Sequence, residues 1–240
     1  MAVKQEVEKL SKTKSNKEII IKENEKTTNE KTKKNIVYHT FKRLIDIIIG
    51  LVGIIILVPM TIIVKIFKII NKEKGPIFYK QKRIGKNGKY FYINKYRSMW
   101  VGADEKLKEY LKEHPKEKEE FIKYRKLEHD PRITKTGKVL RETSLDEVPQ
   151  VINLLNGTMT LIGPRPIVDR EIDIYGNDKE KFLSVTPGLT GYWQVNGRSN
   201  TTYEERKEME LYYVEHQSLL LDLKIFFKTF TVVINKDGAK

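Results

Sequence analysis

The chain has 240 residues, room for one domain with appendages or for two small ones. Lys and Arg outnumber Asp and Glu by 46 to 32, a net charge of +14 that favours anionic partners such as nucleic acid, acidic lipid headgroups or phosphorylated substrates. There is no cysteine, and His39, His114, His129 and His216 form no metal-spaced pair; disulfides, thiolate catalysis and thiolate-bound metal centres are excluded, and any metal should be a hard, oxygen-liganded ion such as Mg2+.

Residues 1–40 carry ten Lys, six Glu and no Arg, and read as a flexible basic tail of net charge +4, unlike a signal peptide. Residues 41–74 differ sharply. From Ile47 to Val64 there are 18 residues without a charge, the lower limit for a helix that spans a bilayer. Lys42 and Arg43 precede this stretch and Lys65, Lys68, Lys72 and Lys74 follow it, so both flanks favour the cytoplasmic side. Pro59 removes a backbone donor and predicts a kink near Leu57–Val58. A re-entrant helix, bending in the membrane and returning to the same face, satisfies both flanks and leaves Asp46 among the headgroups. The alternative is an ordinary single-pass helix with a tolerated proline.

Residues 75–240 read as one cytosolic domain of α+β class, predominantly helical. "PIFYKQKRIGKNGKYFYINKYRSM" alternates aromatic or branched residues with polar ones around "GKNG", which predicts a β-hairpin turning at Asn87–Gly88. Two charged helices follow, split by Pro115 and closed by Pro131. A short helix is expected from Leu145 to Leu155, stopped by Asn156–Gly157. The run Met159–Ile162 then leads into Gly163-Pro164-Arg165-Pro166, a stiff loop that fixes the Arg165 guanidinium. Thr202 with Glu205 is a capping box, and Ser218 caps the last helix, whose apolar face either completes the core or lies in the membrane interface. No glycine-rich nucleotide loop of either common pattern is present, so bound phosphates would depend on Arg, Lys and Mg2+.

Asp146 and Glu147, in "SLDEVPQ", admit two readings. Ser144 and Glu147 fit an S-x-x-E capping box, in which the carboxylates only start a helix. The same placement also poises an Asp as nucleophile or metal ligand beside an anion site, with Arg141 to neutralise a substrate's charge. Spacing alone favours capping. Only ten of the 46 basic residues are Arg, and Arg83, Arg97, Arg132, Arg141, Arg165 and Arg198 lie in Gly-, Pro- or turn-rich contexts, where a guanidinium fork can grip phosphate.

The apolar segment, "GPIFYKQKRIGKNGKYFYINKYRSM", "DPRITKTGKVLRETSLDEVPQVINLLNGTMTLIGPRP" and "TPGLTGYWQVNGR", in this order, resemble the bacterial sugar transferases, the monotopic phosphoglycosyl transferases that prime glycoconjugate synthesis. The similarity runs from about Phe41 to Ile234. It implies that Asp146 and Glu147 are a catalytic dyad. Asp146 would attack the sugar-proximal phosphate of a UDP-sugar, releasing UMP, and a polyprenyl (undecaprenyl) phosphate would then take the sugar phosphate. Glu147, beside Asp146, would help bind Mg2+. Arg141 and Arg165 match positions linked to phosphate handling. Lys95 and Arg97 in "KYRSM" match a family motif from which Tyr96 and Ser98 depart mildly. Asn196 and Arg198, in "NGR", are the candidates for donor recognition. The implied setting is the cytoplasmic face of the cell membrane, with amphipathic interfacial helices, lipid contact and no nucleic-acid partner; a homo-oligomer is compatible with it. The chain resembles the catalytic half of longer members with a charged tail in front. Competing readings are an inactive membrane-tethered scaffold and a nucleic-acid binder; the carboxylates at the basic centre disfavour the second.

Overall fold

A computed structural model describes the backbone of residues 2–124, 127, 129–197 and 201–234, and side chains from residue 35 to 232, residues 120, 123 and 124 excepted among these. Its contacts divide the chain into two units, Met1–Leu44 and Ile45–Lys240. Helix α1 (Ala2–Ile70) gives helical backbone where an irregular tail was expected. No Gly or Pro occurs before Gly50, and Lys and Glu are good helix formers.

The apolar part of α1 belongs to the second unit. One stripe is buried, Asp46, Gly50, Gly53, Leu57, Val64 and Lys68, at the three- and four-residue spacing of a single helix face. A Cβ on Gly50 would stand 2.6 Å from the Leu155 side chain and one on Gly53 2.5 Å from Val151, so the glycines let the helices touch. Asp46, expected among the headgroups, is bound by the protein itself. It is 3 % exposed, and its carboxylate accepts the Leu161 N–H (2.7 Å) and the Thr160 hydroxyl (3.1 Å). A buried carboxylate needs such donors, and the strand edge supplies them. Pro59 does not interrupt the helix. Near it, the Leu57 carbonyl accepts the Thr61 hydroxyl (2.7 Å) and lies 3.3 Å from that of Tyr96.

Strands β1 (Phe78–Ile84) and β2 (Tyr90–Tyr96) form the predicted antiparallel hairpin. Asn87 (φ 56°) and Gly88 (φ 73°) take the left-handed conformations its turn requires. In its register Arg83 faces Phe91 and Gln81 faces Ile93, which puts Arg83, Phe91, Ile93 and Lys95 on one side. Helices α2 (Ala103–Glu113) and α3 (Pro115–Tyr124) follow, Pro115 opening α3 where its missing N–H costs nothing. Helix α4 (Lys135–Glu142) is capped by the Thr134 hydroxyl, which accepts the Gly137 N–H.

The helix expected over Leu145–Leu155 divides. Leu145–Gln150 is a 3-10 segment, and α5 (Val151–Leu155) starts only after it. Pro149 has no N–H to return to the Leu145 carbonyl, so an α-helix cannot begin at Leu145. Asn153 ties α5 to β2: its Oδ1 accepts the Asn94 N–H (3.1 Å) and its Nδ2 donates to the Tyr92 carbonyl (2.8 Å).

Strand β3 (Thr160–Ile162) pairs in parallel with β4 (Gly188–Thr190). Between them lie a 3-10 stretch, Asp169–Asp178, and α6 (Lys179–Leu183). Helices α7 (Tyr192–Asn196), α8 (Tyr203–Glu215) and α9 (Leu219–Ile234) complete the unit. The Thr202–Glu205 capping box forms, and the Ser218 hydroxyl accepts the Leu221 N–H (3.3 Å). One face of α9 buries Ile225 and Val232 with Ile162, Val195 and Tyr213, while Leu220, Leu223, Phe227 and Phe230 are exposed. The core expectation for its apolar residues thus holds on one face, and the other leaves an exposed apolar surface.

Candidate active site

Asp146 and Glu147 lie on the 3-10 segment packed against β2. The capping box expected at Ser144 does not form. Ser144 sits in the left-handed region (φ 56°), its side chain caps nothing, and it ends α4 by donating its N–H to the Arg141 carbonyl. Glu147 instead reaches Lys95, whose Nζ donates to Oε1 at 2.6 Å and lies 3.9 Å from Asp146 Oδ2. A charge-assisted bond to an ammonium outweighs the neutral amide that a capping box offers.

The two carboxylates are pushed apart electrostatically. Burial, with the Glu147 charge beside it, raises the Asp146 carboxyl above its ordinary value even against Lys95 and Arg141. Burial also opposes the charge on Glu147, but Lys95, as nearest cation and donor, with Arg165 and Arg83 beyond, holds its carboxyl below the ordinary range. Glu147 is therefore a fixed anion, and Asp146 is a carboxylate with more basic character. That is the division expected of a ligand and a nucleophile.

Of the other candidates, Arg141 is exposed at the end of α4, close enough for its charge to act on Asp146. Arg165 stands on a loop fastened along its backbone. The Gly163 N–H donates to Thr190 O (2.9 Å), the Gly188 N–H to Pro164 O (2.8 Å) and the Arg165 N–H to Glu210 Oε1 (3.0 Å), while Arg83 donates to Pro166 O (3.2 Å). A Cβ on Gly188 would come within 2.1 Å of Gly163 N, so this crossing needs glycine. Arg97 turns elsewhere, its Nε donating to Pro76 O and its guanidinium lying 5.2 Å from the Tyr79 ring centre. The Asn196 amide is engaged at both ends, donating to Tyr192 O and accepting from Lys228. Arg198 lies outside the described residues.

Sequence reasoning left unassigned a group behind the loop. Arg83, Arg206, Glu171 and Glu210 converge there, with Glu171 3.8 Å from Arg83 and 3.4 Å from Arg206. Burial, then the neighbouring Arg165, acts against the Arg83 charge, and Glu171 supports it. Arg83 carried a signal, an Arg beside a turn. Arg206 and Glu210 did not, since a pair four residues apart reads as a solvent-facing ion pair.

The profile of the family described as "Bacterial sugar transferase" matches residues 37–236. The chain belongs to the bacterial sugar transferases. It is 42% identical over 198 residues to an "Undecaprenyl-phosphate galactose phosphotransferase" of Salmonella typhimurium, covering 82% of this chain and 41% of that protein. It is 41% identical over 198 residues to "Exopolysaccharide production protein ExoY" of Sinorhizobium fredii, 82% of this chain and 87% of that one. A "UDP-glucose:undecaprenyl-phosphate glucose-1-phosphate transferase" of Klebsiella pneumoniae is 36% identical over 208 residues, 82% of this chain and 41% of the relative. The chain thus spans about two fifths of its longer relatives and most of the shorter one.

As for a metal, no group of three or more carboxylate or imidazole ligands occurs among the described residues. Asp146 and Glu147 offer two adjacent hard oxygen donors of the kind Mg2+ takes, with Glu147 Oε1 already engaged by Lys95.

Proposed function

We propose that this chain transfers a sugar-1-phosphate from a UDP-sugar to undecaprenyl phosphate at the cytoplasmic face of the membrane, through an aspartyl-phosphosugar intermediate. The observation that carries the reading is Asp146, half-buried and with its carboxyl pKa raised, beside a Glu147 held ionised by Lys95, with Arg141 and Arg165 acting on the pair. An Asp146 carboxylate oxygen forms a bond to the sugar-bearing phosphorus, and the bond from that phosphorus to the bridging oxygen breaks, so UMP leaves with the electron pair. A phosphate oxygen of the acceptor then attacks the same phosphorus and frees Asp146. Lys95 and Glu147 fix the geometry of the first step, and Arg141 and Arg165 bind the phosphate charge. Mg2+, when bound by Glu147 with Asp146, would neutralise charge on the diphosphate. The names of the relatives support the acceptor and the hexose-phosphate class.

The stretch Asn35–Ile70 is long and apolar enough to cross a membrane. Its buried stripe from Asp46 to Lys68 runs about 33 Å at 1.5 Å per residue against the rest of the second unit, which argues for a helix anchored to that unit rather than a lone span. Its other faces, among them Leu51, Ile55, Ile62 and Ile66, are exposed and fit hydrocarbon. The apolar face of α9, flanked by Lys224 and Lys228, fits the headgroup boundary. Both support a body held on one side of the membrane.

The test is UMP release by detergent-purified protein with undecaprenyl phosphate, Mg2+ and a panel of UDP-sugars, beside Asp146→Asn. Release with one sugar, abolished in the variant, is the expected outcome and names the donor. A folded protein that releases no UMP from any of them would overturn the reading in favour of a scaffold.

A further inference from the structure

Glu210 lies on the inner face of α8 and is fully buried. Its Oε1 accepts the Arg165 N–H at 3.0 Å, and its Oε2 has no hydrogen-bond partner among the described residues. One turn earlier Arg206, 6 % exposed, places its guanidinium carbon 4.6 Å from the centre of the Trp193 indole, and its Nε and Nη2 are also without partners. The Arg165 guanidinium lies 5.8 Å from the same indole. Trp193 is therefore shared by a guanidinium of the phosphate-binding loop and one of the buried group. A glutamine at 210 would accept the same Arg165 N–H at lower desolvation cost. What only a carboxylate adds is charge beside Arg165 and Arg206.

We propose that Glu210 is a positioning residue for sugar-phosphate transfer: its carboxyl oxygen fastens the Arg165 backbone, and its charge, acting with Arg206 beside Trp193, sets where the Arg165 guanidinium points. This rests on the reading of Asp146 and Arg165 given above. The groups that face Glu210 are Arg165 from the loop, Arg206 from its own helix, and Tyr175 and Glu171 from the 3-10 stretch 169–178. Burial pushes the Glu210 carboxyl up to about 7 against the Arg165 N–H and the Arg206 and Arg165 charges. Burial, then the Glu210 charge, raises Tyr175 well above its ordinary value, so the phenol stays neutral. Glu210 is thus the member that changes charge near neutral pH: the Arg165 N–H bond holds in both forms, and the Arg165 guanidinium is drawn toward the carboxylate above that point and released below it.

The experiment has two readouts on the full chain in a Trp100→Phe background, where Trp193 is the only tryptophan. The first is the pH profile of kcat/KM for the UDP-sugar. It should fall on acidification with a midpoint near 7. Glu210→Gln should lose that limb and sit about a hundred-fold lower at pH 8, the scale of a misplaced binding group. Glu210→Asp should recover part of the rate and keep a limb. The second is Trp193 fluorescence against pH, which needs no activity: a transition near 7 that Glu210→Gln removes. An unchanged rate and profile in Glu210→Gln overturns the proposal, as does flat Trp193 emission in the parent. Should Glu210→Gln fail to fold, the parent titration and Glu210→Asp decide in the same way. If the parent releases no UMP while Trp193 titrates near 7, the transferase reading falls and the charge coupling of Glu210 to the Arg165 loop stands.

Discussion

Lys95 meets Glu147 across 52 residues of sequence, and its ammonium draws the pKa of both carboxyls down against their burial. Removing the ammonium raises both carboxyl pKa values, because Lys95 lowers each of them. Lys95→Met should therefore shift the acid limb contributed by Asp146 to higher pH and cut kcat/KM by about a hundred-fold or more, both read from a pH series of UMP release. Glu210 makes the opposite contribution to stability. Its folded pKa is raised above that of the unfolded chain, so the folded state holds the proton more tightly, and stability is lost as pH rises from about 4.5 through about 7. The loss is on the order of 3 kcal/mol, and Glu210→Gln should flatten that part of a melting-temperature profile in detergent. An unchanged slope would show that the carboxyl is not desolvated as the structure has it. Asp146–Glu147 was legible in the sequence as a pair, but its use was not. Ser144 and Glu147 satisfy the local spacing of a cap, and the partner that diverts Glu147 is a lysine on a distant strand.

At the scale of elements, those that local chemistry dictates were readable: the Asn87–Gly88 hairpin, the Pro115 break between α2 and α3, and the Thr202 cap. Those that depend on a partner were not. Asp46 looked like a headgroup residue because its donors, Thr160 and Leu161, lie 114 and 115 residues on. Pro149 could have revealed that the Leu145–Leu155 helix breaks in two, since the missing donor is a sequence fact. The seam between α1 and α5 gives a direct test. Gly53→Ile brings a side chain into Val151, with the first added carbon 2.5 Å away, and should destabilise by about 1–3 kcal/mol. Ile55→Leu, on an exposed face of the same helix, should change the melting temperature little. Equal effects would refute the seam.

For the whole molecule, the net charge of +14 and the exposed apolar faces act at different ranges. Binding to anionic vesicles should weaken in high salt without vanishing, because salt screens the basic residues and not the apolar contact. Leu223→Ser with Phe227→Ser on α9 should reduce the salt-resistant part, measured by vesicle sedimentation. Undiminished salt-resistant binding would remove α9 from the interface. The buried stripe of α1 also has a consequence in time. Asp46 is synthesised 115 residues before Leu161, and at ribosomal rates that interval is on the order of ten seconds. Through it the apolar helix exists without the body that will cover one of its sides. Whatever binds an uncovered apolar helix thus meets this one while the chain is still being translated.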